Sequence, residues 1–240
     1  MDKGTADNGA VSRSVLVLGG TSPNGIGEAI CTRLTDLGHL AFAPPLEVLD
    51  VTRDEYAIEE LGLLLDECSP DSVVYSVGVN ELDWSWAVER KSFDRIMATN
   101  VWGFMNVLKG LQLTSKPYSV LAITSDAAVR PMRTSMAYCA SKAALDMVIR
   151  VASRELAAEG WRVNGLAPGK VVGTAMTEYV DERVPEIRGW ARSWATKYEL
   201  SSSPIGRHLS TTEVASVACD VLLSDVKGWT GDIITVNGGR

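Results

Sequence analysis

Histidine is nearly absent from this sequence: His39 and His208 are the only two in 240 residues, far apart and unaccompanied. Neither is assigned to catalysis. The four cysteines, Cys31, Cys68, Cys139 and Cys219, have no metal-type spacing, so no metal site is expected. They read as buried free thiols of a reducing, cytoplasmic protein. No apolar run approaches the roughly 20 residues of a membrane-spanning helix, and no membrane partner is expected. Basic clusters are missing as well. With 23 Lys and Arg against 30 Asp and Glu the net charge is −7. That balance argues against nucleic acid or an anionic membrane as the main partner. The N-terminal stretch Met1 to Ser14 is polar rather than signal-like, and is expected to be a loosely held tail.

What remains is enough for one large α/β domain over residues 15–240. Val15-Leu16-Val17-Leu18 is wholly apolar, as expected of a buried parallel strand. It runs into Gly19-Gly20-Thr21-Ser22-Pro23-Asn24-Gly25-Ile26-Gly27, and a helical pattern follows with Ala29, Ile30, Leu34 and Leu37 on one face and Gly38 as C-cap. Glycines here would let the backbone approach a pyrophosphate, and the helix start would supply free N–H groups and a positive dipole end. Taken alone, the same turn is equally a plain tight turn of an α/β protein.

Tyr138 and Lys142 are four residues apart in Ala137-Tyr138-Cys139-Ala140-Ser141-Lys142, and Ser125 stands thirteen residues before Tyr138. Positions i and i+4 of a helix share a face, so the phenol and the ammonium can meet in one site. A nearby Lys⁺ is expected to lower the Tyr pKa, making the phenol a proton donor or acceptor for an alcohol or carbonyl oxygen. Ser125 would hold that same oxygen.

Strands and helices alternate, with no linker and no repeat. A second strand is expected at about His39 to Ala43. Thr52-Arg53-Asp54-Glu55 has the form of a capping box, opening a helix that carries Ile58, Leu61, Leu65 and Cys68. Further strands are expected at Asp71 to Val77, Ser119 to Thr124, Arg162 to Ala167 and Ile233 to Val236. Helices are expected from about Ser92, over Asn100 to Leu113, Ala137 to Glu159 and Ser210 to Leu223.

In order along the chain, these landmarks resemble the short-chain dehydrogenase/reductase family. They are the glycine turn, Asp50-Val51-Thr52, Ser76-Val77-Gly78, Asn100-Val101-Trp102-Gly103, the Ser125/Tyr138/Lys142 set, Asn164-Gly165-Leu166-Ala167-Pro168-Gly169 and Thr235-Val236-Asn237-Gly238-Gly239. The resemblance runs from about Ser14 to the C-terminus. It implies a doubly wound Rossmann fold with a mainly parallel sheet, and an NAD(P)-dependent interconversion of a carbonyl and a secondary alcohol. It implies Tyr138 as general acid/base and Lys142 as tuner and ribose ligand. Ser125 would position substrate, and Asn100 would fix a kinked helix and a water leading from Lys142. For the cofactor it implies Gly20, Thr21, Asn24, Gly25, Ile26 and Gly27 at the phosphates. Asp50 and Val51 would flank the adenine, and Ser76, Val77, Gly78, Tyr138, Lys142, Pro168, Gly169, Val171 and Thr174 would line the remainder. The four-residue Tyr–Lys spacing speaks against the enoyl-reductase branch. Residues 174–204 would form a substrate lid, whose Met176, Tyr179, Trp190, Trp194 and Tyr198 either line the pocket or pack the lid down. Small-molecule turnover and a homodimer or homotetramer are implied. The contrasting reading is a cofactor sensor without turnover.

Three departures from the family pattern stand out. The glycine turn is one residue longer than usual between Gly20 and Gly25. Five residues between Pro45 and Val51 cannot make a parallel crossover, so the second crossover helix and third strand are expected to be deleted or vestigial. That leaves six main strands, with the one near Leu40 to Ala43 at the edge. Finally, Pro45 falls where NAD-preferring members carry a ribose-binding Asp. Arg53 is then the nearest candidate cation for a 2′-phosphate, and the lean is slightly to NADP. Glu47 could restore an NAD preference.

Overall fold

The computed structural model describes residues 12–240. Six strands form one all-parallel sheet in the order β2-β1-β3-β4-β5-β6. They are β1 Ser14–Leu18, β2 Leu40–Phe42, β3 Ser72–Tyr75, β4 Ser119–Ile123, β5 Arg162–Pro168 and β6 Ile233–Val236. The helices are α1 Ile26–Asp36, α2 Asp54–Cys68, α3 Arg90–Met97, α4 Gly103–Gln112, α5 Met136–Leu156, α6 Ala175–Arg188, α7 Arg192–Ser201 and α8 Thr211–Leu223. The chain winds outward from β1 to β2, then returns to the far side of β1 with β3. The crevice beyond the carboxyl ends of β1 and β3 is therefore the topological switch point.

The apolar strands are explained by burial on both faces. Val15 and Val17 point into a cluster with Ile30 and Leu34 of α1 and Val214 and Leu222 of α8. Leu16 and Leu18 point the other way, into a cluster with Leu61 of α2, Phe104 and Leu111 of α4 and Leu145 and Ile149 of α5. One strand thus feeds two cores with period two.

β2 is the edge strand, and the six-strand count matches the expectation. Residues 43–53 hold neither helix nor strand. The Pro45 carbonyl there accepts the N–H groups of Val48 at 3.0 Å and Leu49 at 3.1 Å. The capping box expected at Thr52 does not form. Asp50 Oδ1 takes the Thr52 N–H at 3.0 Å and its hydroxyl at 2.7 Å, so the threonine is spent in a local turn and α2 starts at Asp54 without a side-chain cap. A complete capping box appears instead at α8, between Ser210 and Glu213.

Ser14 already belongs to β1, and the Arg13 N–H donates to His39 Nδ1 at 3.1 Å, so residues 12–14 are part of the fold. The rest of the expected tail lies outside the described residues. Among those residues no helix is long and apolar enough to cross a membrane, and no cluster of metal-ligating side chains occurs. All four cysteines are free, and burial pushes each thiol pKa up.

Candidate active site

A cleft of about 1080 Å³ opens at the carboxyl ends of the strands. Its floor at β1 is the glycine turn. Gly19 adopts φ +83°, and a Cβ there would lie 2.8 Å from the Ser76 carbonyl oxygen, so only glycine fits. Gly25 is the N-cap of α1 and caps nothing with a side chain, which leaves the first-turn N–H groups open. Gly25, Ile26 and Gly27 line the cleft. Gly20 faces Ala43 of the β2 loop instead, while Asn24 lies off the lining and gives its N–H to Glu28 at 2.7 Å. Thr21 is exposed and also off the lining. Gly19 is not among the cofactor residues that the resemblance implies, yet it and Asn24 hold the left-handed positions of this turn; the signal for Gly19 is its place directly after the apolar run.

Ser125, Tyr138 and Lys142 meet on one wall of the cleft. β4 delivers Ser125 at its carboxyl end, and the Ser125 hydroxyl accepts the Ala127 N–H at 3.1 Å. Tyr138 and Lys142 sit in the first two turns of α5, both buried. Lys142 Nζ donates to the Ile123 carbonyl at 3.0 Å and lies 5.7 Å from the Tyr138 ring centroid. The expected lowering of the phenol pKa is not what this geometry gives. Burial pushes Tyr138 up to about 12, partly opposed by the Ser125 hydroxyl. Lys142 is itself held down to about 8 by burial, with Asp146 opposing. Desolvation disfavours both charges, and the ammonium is directed at a carbonyl rather than at the phenol.

That burial makes a test. Below pH 8 folded Lys142 stays charged at full desolvation cost. As pH rises from about 8 towards its ordinary 10.5, the folded state loses a proton that the unfolded state keeps, so stability rises. Lys142→Met is therefore expected to raise Tm most below pH 8, with the gain over wild type shrinking towards pH 10.5. Calorimetry across that range checks it, and a gain that grows with pH would contradict it.

Asn100 is buried behind the cleft, inside a π-helical turn, Ala98–Trp102, that joins α3 to α4. Its Oδ1 accepts the Val79 N–H at 2.8 Å, and its Nδ2 donates to the Val79 carbonyl at 3.0 Å and to Ser141 Oγ at 2.9 Å. One amide thus ties the loop after β3 to α5. The π-turn is the expected kink, a feature frequent at functional sites. Ser76, Val77 and Gly78 line the cleft, and a Cβ on Gly78 would lie 3.4 Å from Lys142 Nζ. Pro168, Gly169, Val171 and Thr174 line it from β5 onward, with Thr174 capping α6.

Asp50 and Val51 do not line the cleft. The Asp50 carboxylate is turned into its own loop, and the Val51 side chain packs in the core under Gly103. Glu47 is exposed on the turn after Pro45, and the Arg53 guanidinium stacks 4.1 Å from the Tyr56 ring. None of these points into the cleft.

Within residues 174–204, where a lid is expected, Trp190, Trp194 and Tyr198 pack on one another with ring centroids 4.2 to 5.3 Å apart. Of the five lid residues, Met176, Tyr179 and Tyr198 line the cleft. Tyr179 and Tyr198 are thus the aromatics of this segment on the cleft, and Trp190 and Trp194 pack with Tyr198 inside the segment itself. Sequence reasoning missed several polar lining groups. Asp126, directly after Ser125, is buried and pairs with Arg130 at 3.0 Å. Lys170 ties β5 to the lid through Asp181 and, at 2.9 Å, Glu199. Arg133 and Arg188 also line the cleft. Only Asp126 had a sequence signal, its place beside Ser125.

A family model described as enoyl-(acyl carrier protein) reductase matches residues 41–240. A short chain dehydrogenase family protein from Francisella tularensis has a solved structure that is 25% identical and superposes with TM-score 0.82, covering 95% of this chain and 98% of that one. This chain is a short-chain dehydrogenase/reductase. Two curated relatives of this oxidoreductase family are also similar to it. L-xylulose reductase of Caenorhabditis elegans is 28% identical over 95% of each chain. L-2,3-butanediol dehydrogenase of Corynebacterium glutamicum is 28% identical over 81% of this chain and 76% of its own.

Proposed function

We propose that this short-chain dehydrogenase/reductase interconverts a carbonyl and a secondary alcohol with NAD(P), Tyr138 acting as general acid/base. The observation that carries it is the convergence of Ser125, Tyr138 and Lys142 on one wall of a cleft whose floor is a helix N-terminus. The cleft fits a dinucleotide. Open N–H groups face it at Ile26 and Gly27, side chains are absent at Gly19, Gly25 and Gly78, and about 1080 Å³ is available. The bound cofactor would supply the hydride. The protein holds the substrate oxygen between the Ser125 hydroxyl and the Tyr138 phenol, and moves a proton at the phenolic oxygen. With a pKa near 12 the phenol is held protonated, ready to donate in the reducing direction. Asn100 acts as a positioning residue through Val79 and Ser141.

The two relatives are named for keto and hydroxy compounds, and the four-residue Tyr–Lys spacing supports that class over enoyl reduction. Residues 43–53 support a shortened adenine side relative to the family pattern. Asp50 and Val51 would then reach the adenine only through the loop backbone. With Glu47 and Arg53 both off the lining, discrimination between NAD and NADP should be modest, and NADP slightly favoured.

The test is paired kinetics with NADH and NADPH against a panel of carbonyl compounds. Turnover with either, and kcat/KM values within about tenfold of each other, is expected. Cofactor binding without turnover on any carbonyl would favour the sensor reading.

Assembly belongs to the same proposal. Val101 and Phe104 are buried in the chain's own core, while Met147 and Val151 of α5 stay 57% and 46% exposed. These residues, with exposed Trp102 before α4, support a homodimer or homotetramer through α4 and α5. Light scattering at micromolar concentration is expected to give at least a dimer, and a monomer would refute it.

A further inference from the structure

The chain is acidic overall, yet its cleft is not: the lining holds seven cationic side chains against five carboxylates. Most of those cations are committed. Arg95 pairs with Glu81, Arg130 with Asp126, and Lys170 with Asp181 and Glu199. Lys142 is spent on the Ile123 carbonyl, and Arg240 is anchored on the Glu199 carbonyl at 3.2 Å. Arg133 and Arg188 likewise form no ion pair with a carboxylate among the described residues, Arg188 being held by neutral groups and lying 4.9 Å from the Trp190 ring centroid.

They also stand together. Arg188, in the last turn of α6, donates through Nη2 to the Arg133 carbonyl and, at 3.1 Å, to the Thr134 hydroxyl. Its Nη1 has no acceptor among the described residues. The Arg133 guanidinium lies 5.3 Å from the Trp84 ring centroid and likewise has no acceptor there. Thr134 between them is buried at φ +64°, a left-handed conformation that a β-branched residue adopts only when its surroundings hold it there. Of the nearby carboxylates, Glu199 is paired with Lys170, and Asp83 accepts the Trp84 N–H at 2.8 Å through one oxygen. Burial lowers the Arg188 pKa, the Glu199 carboxylate opposes that, and the nearby charge of Arg133 adds to it.

The geometry points to an anion subsite made by Arg133 and Arg188, so that the carbonyl compound taken by the cleft also carries a carboxylate or a phosphate. Both residues belong to the substrate side. Arg133 lies in the loop between β4 and α5, five residues before Tyr138, and Arg188 lies in the lid. The cofactor's pyrophosphate would sit on different elements, at the turn between β1 and α1. Guanidinium forks suit a planar carboxylate or a phosphate, and the lid supplies one of them, so an anionic substrate would bind the lid to the body. The inference rests on the oxidoreductase reading only for the reaction, not for the anion.

The test uses a matched pair, acetoacetate and ethyl acetoacetate, which share a ketone and differ in the charge. Wild type is expected to favour the acid in kcat/KM by about tenfold or more. In R133Q and R188Q that ratio should shift towards the ester by a similar factor, through a higher KM for the acid. Calorimetric titration with malonate and with inorganic phosphate gives a readout without turnover. Both variants should bind the preferred anion about tenfold more weakly, and the stronger of the two anions in wild type tells carboxylate from phosphate. Arg133 is exposed, so R133Q keeps the test valid should R188Q fail to fold. A wild-type preference for the ester, an unchanged ratio in R133Q, or equal anion binding by wild type and R133Q would each overturn the subsite. No turnover of either ketone, with anion binding lost in R133Q, would support the subsite and count against the reaction alone.

Discussion

Replacing Tyr138 with phenylalanine is expected to lower turnover by roughly 10²–10⁴-fold, the usual contribution of a general acid or base. The phenol is buried, and its neighbour is the Ser125 hydroxyl of the same site rather than a group that joins two elements of the fold. Thermal stability and cofactor binding should therefore stay close to wild type. The fall should appear in kcat rather than in KM, because the hydroxyl acts on the proton that moves and not on the bulk of the substrate. Steady-state kinetics beside a cofactor titration separates these. Near-normal kcat would remove Tyr138 from the chemistry, and a collapse in Tm would show a structural tyrosine.

Gly27→Ala is expected to damage both the fold and the cofactor site. A Cβ at this position would lie 2.5 Å from the Gly19 carbonyl oxygen and 2.9 Å from Gly20 Cα, all backbone atoms that cannot rotate away. Relieving such a clash costs about 1–3 kcal/mol. For a domain of this size that is about 2–4 °C of Tm per kcal/mol. The relief must come from moving the start of α1 off the β1 turn, which displaces the N–H groups of the proposed cofactor site. Cofactor affinity should drop by about tenfold or more. Gly62→Ala is the control. Nothing lies within 4 Å of its would-be Cβ on α2, so alanine there should stabilise by up to about 1 kcal/mol. Equal Tm values for the two alanine variants would refute the packing argument.

Local features proved legible, and long-range ones did not. β1 and β4 could be read because each carries four apolar residues in a row, and Tyr138 and Lys142 because their relation is one helical turn. The edge position of β2 followed from counting the residues available for a crossover. The titration of Tyr138 could not be read, because it depends on burial beneath the cleft, and the spacing argument ranked the lysine above desolvation. Thr52 was misread because a capping box and an Asp-initiated turn share the same residues, and Asp50 decides between them. Arg133 and Arg188 are 55 residues apart in sequence, and only the packing of α6 against the loop before α5 brings them together. The left-handed Thr134 has no signature at all, since threonine is not a residue from which that conformation is expected.

The short β2 has a consequence for how the molecule behaves in crowded solution. Among the described residues the sheet ends at β2, and an edge strand offers its outer side to any passing strand; Leu40 and Phe42 are 57% and 37% exposed there. Yet the ladder is three residues long, and Pro44-Pro45 follows almost at once, with no N–H to offer on either proline. An incoming strand could form too few hydrogen bonds to stay. The short edge strand therefore need not make the protein sticky: the two prolines blunt the edge it presents.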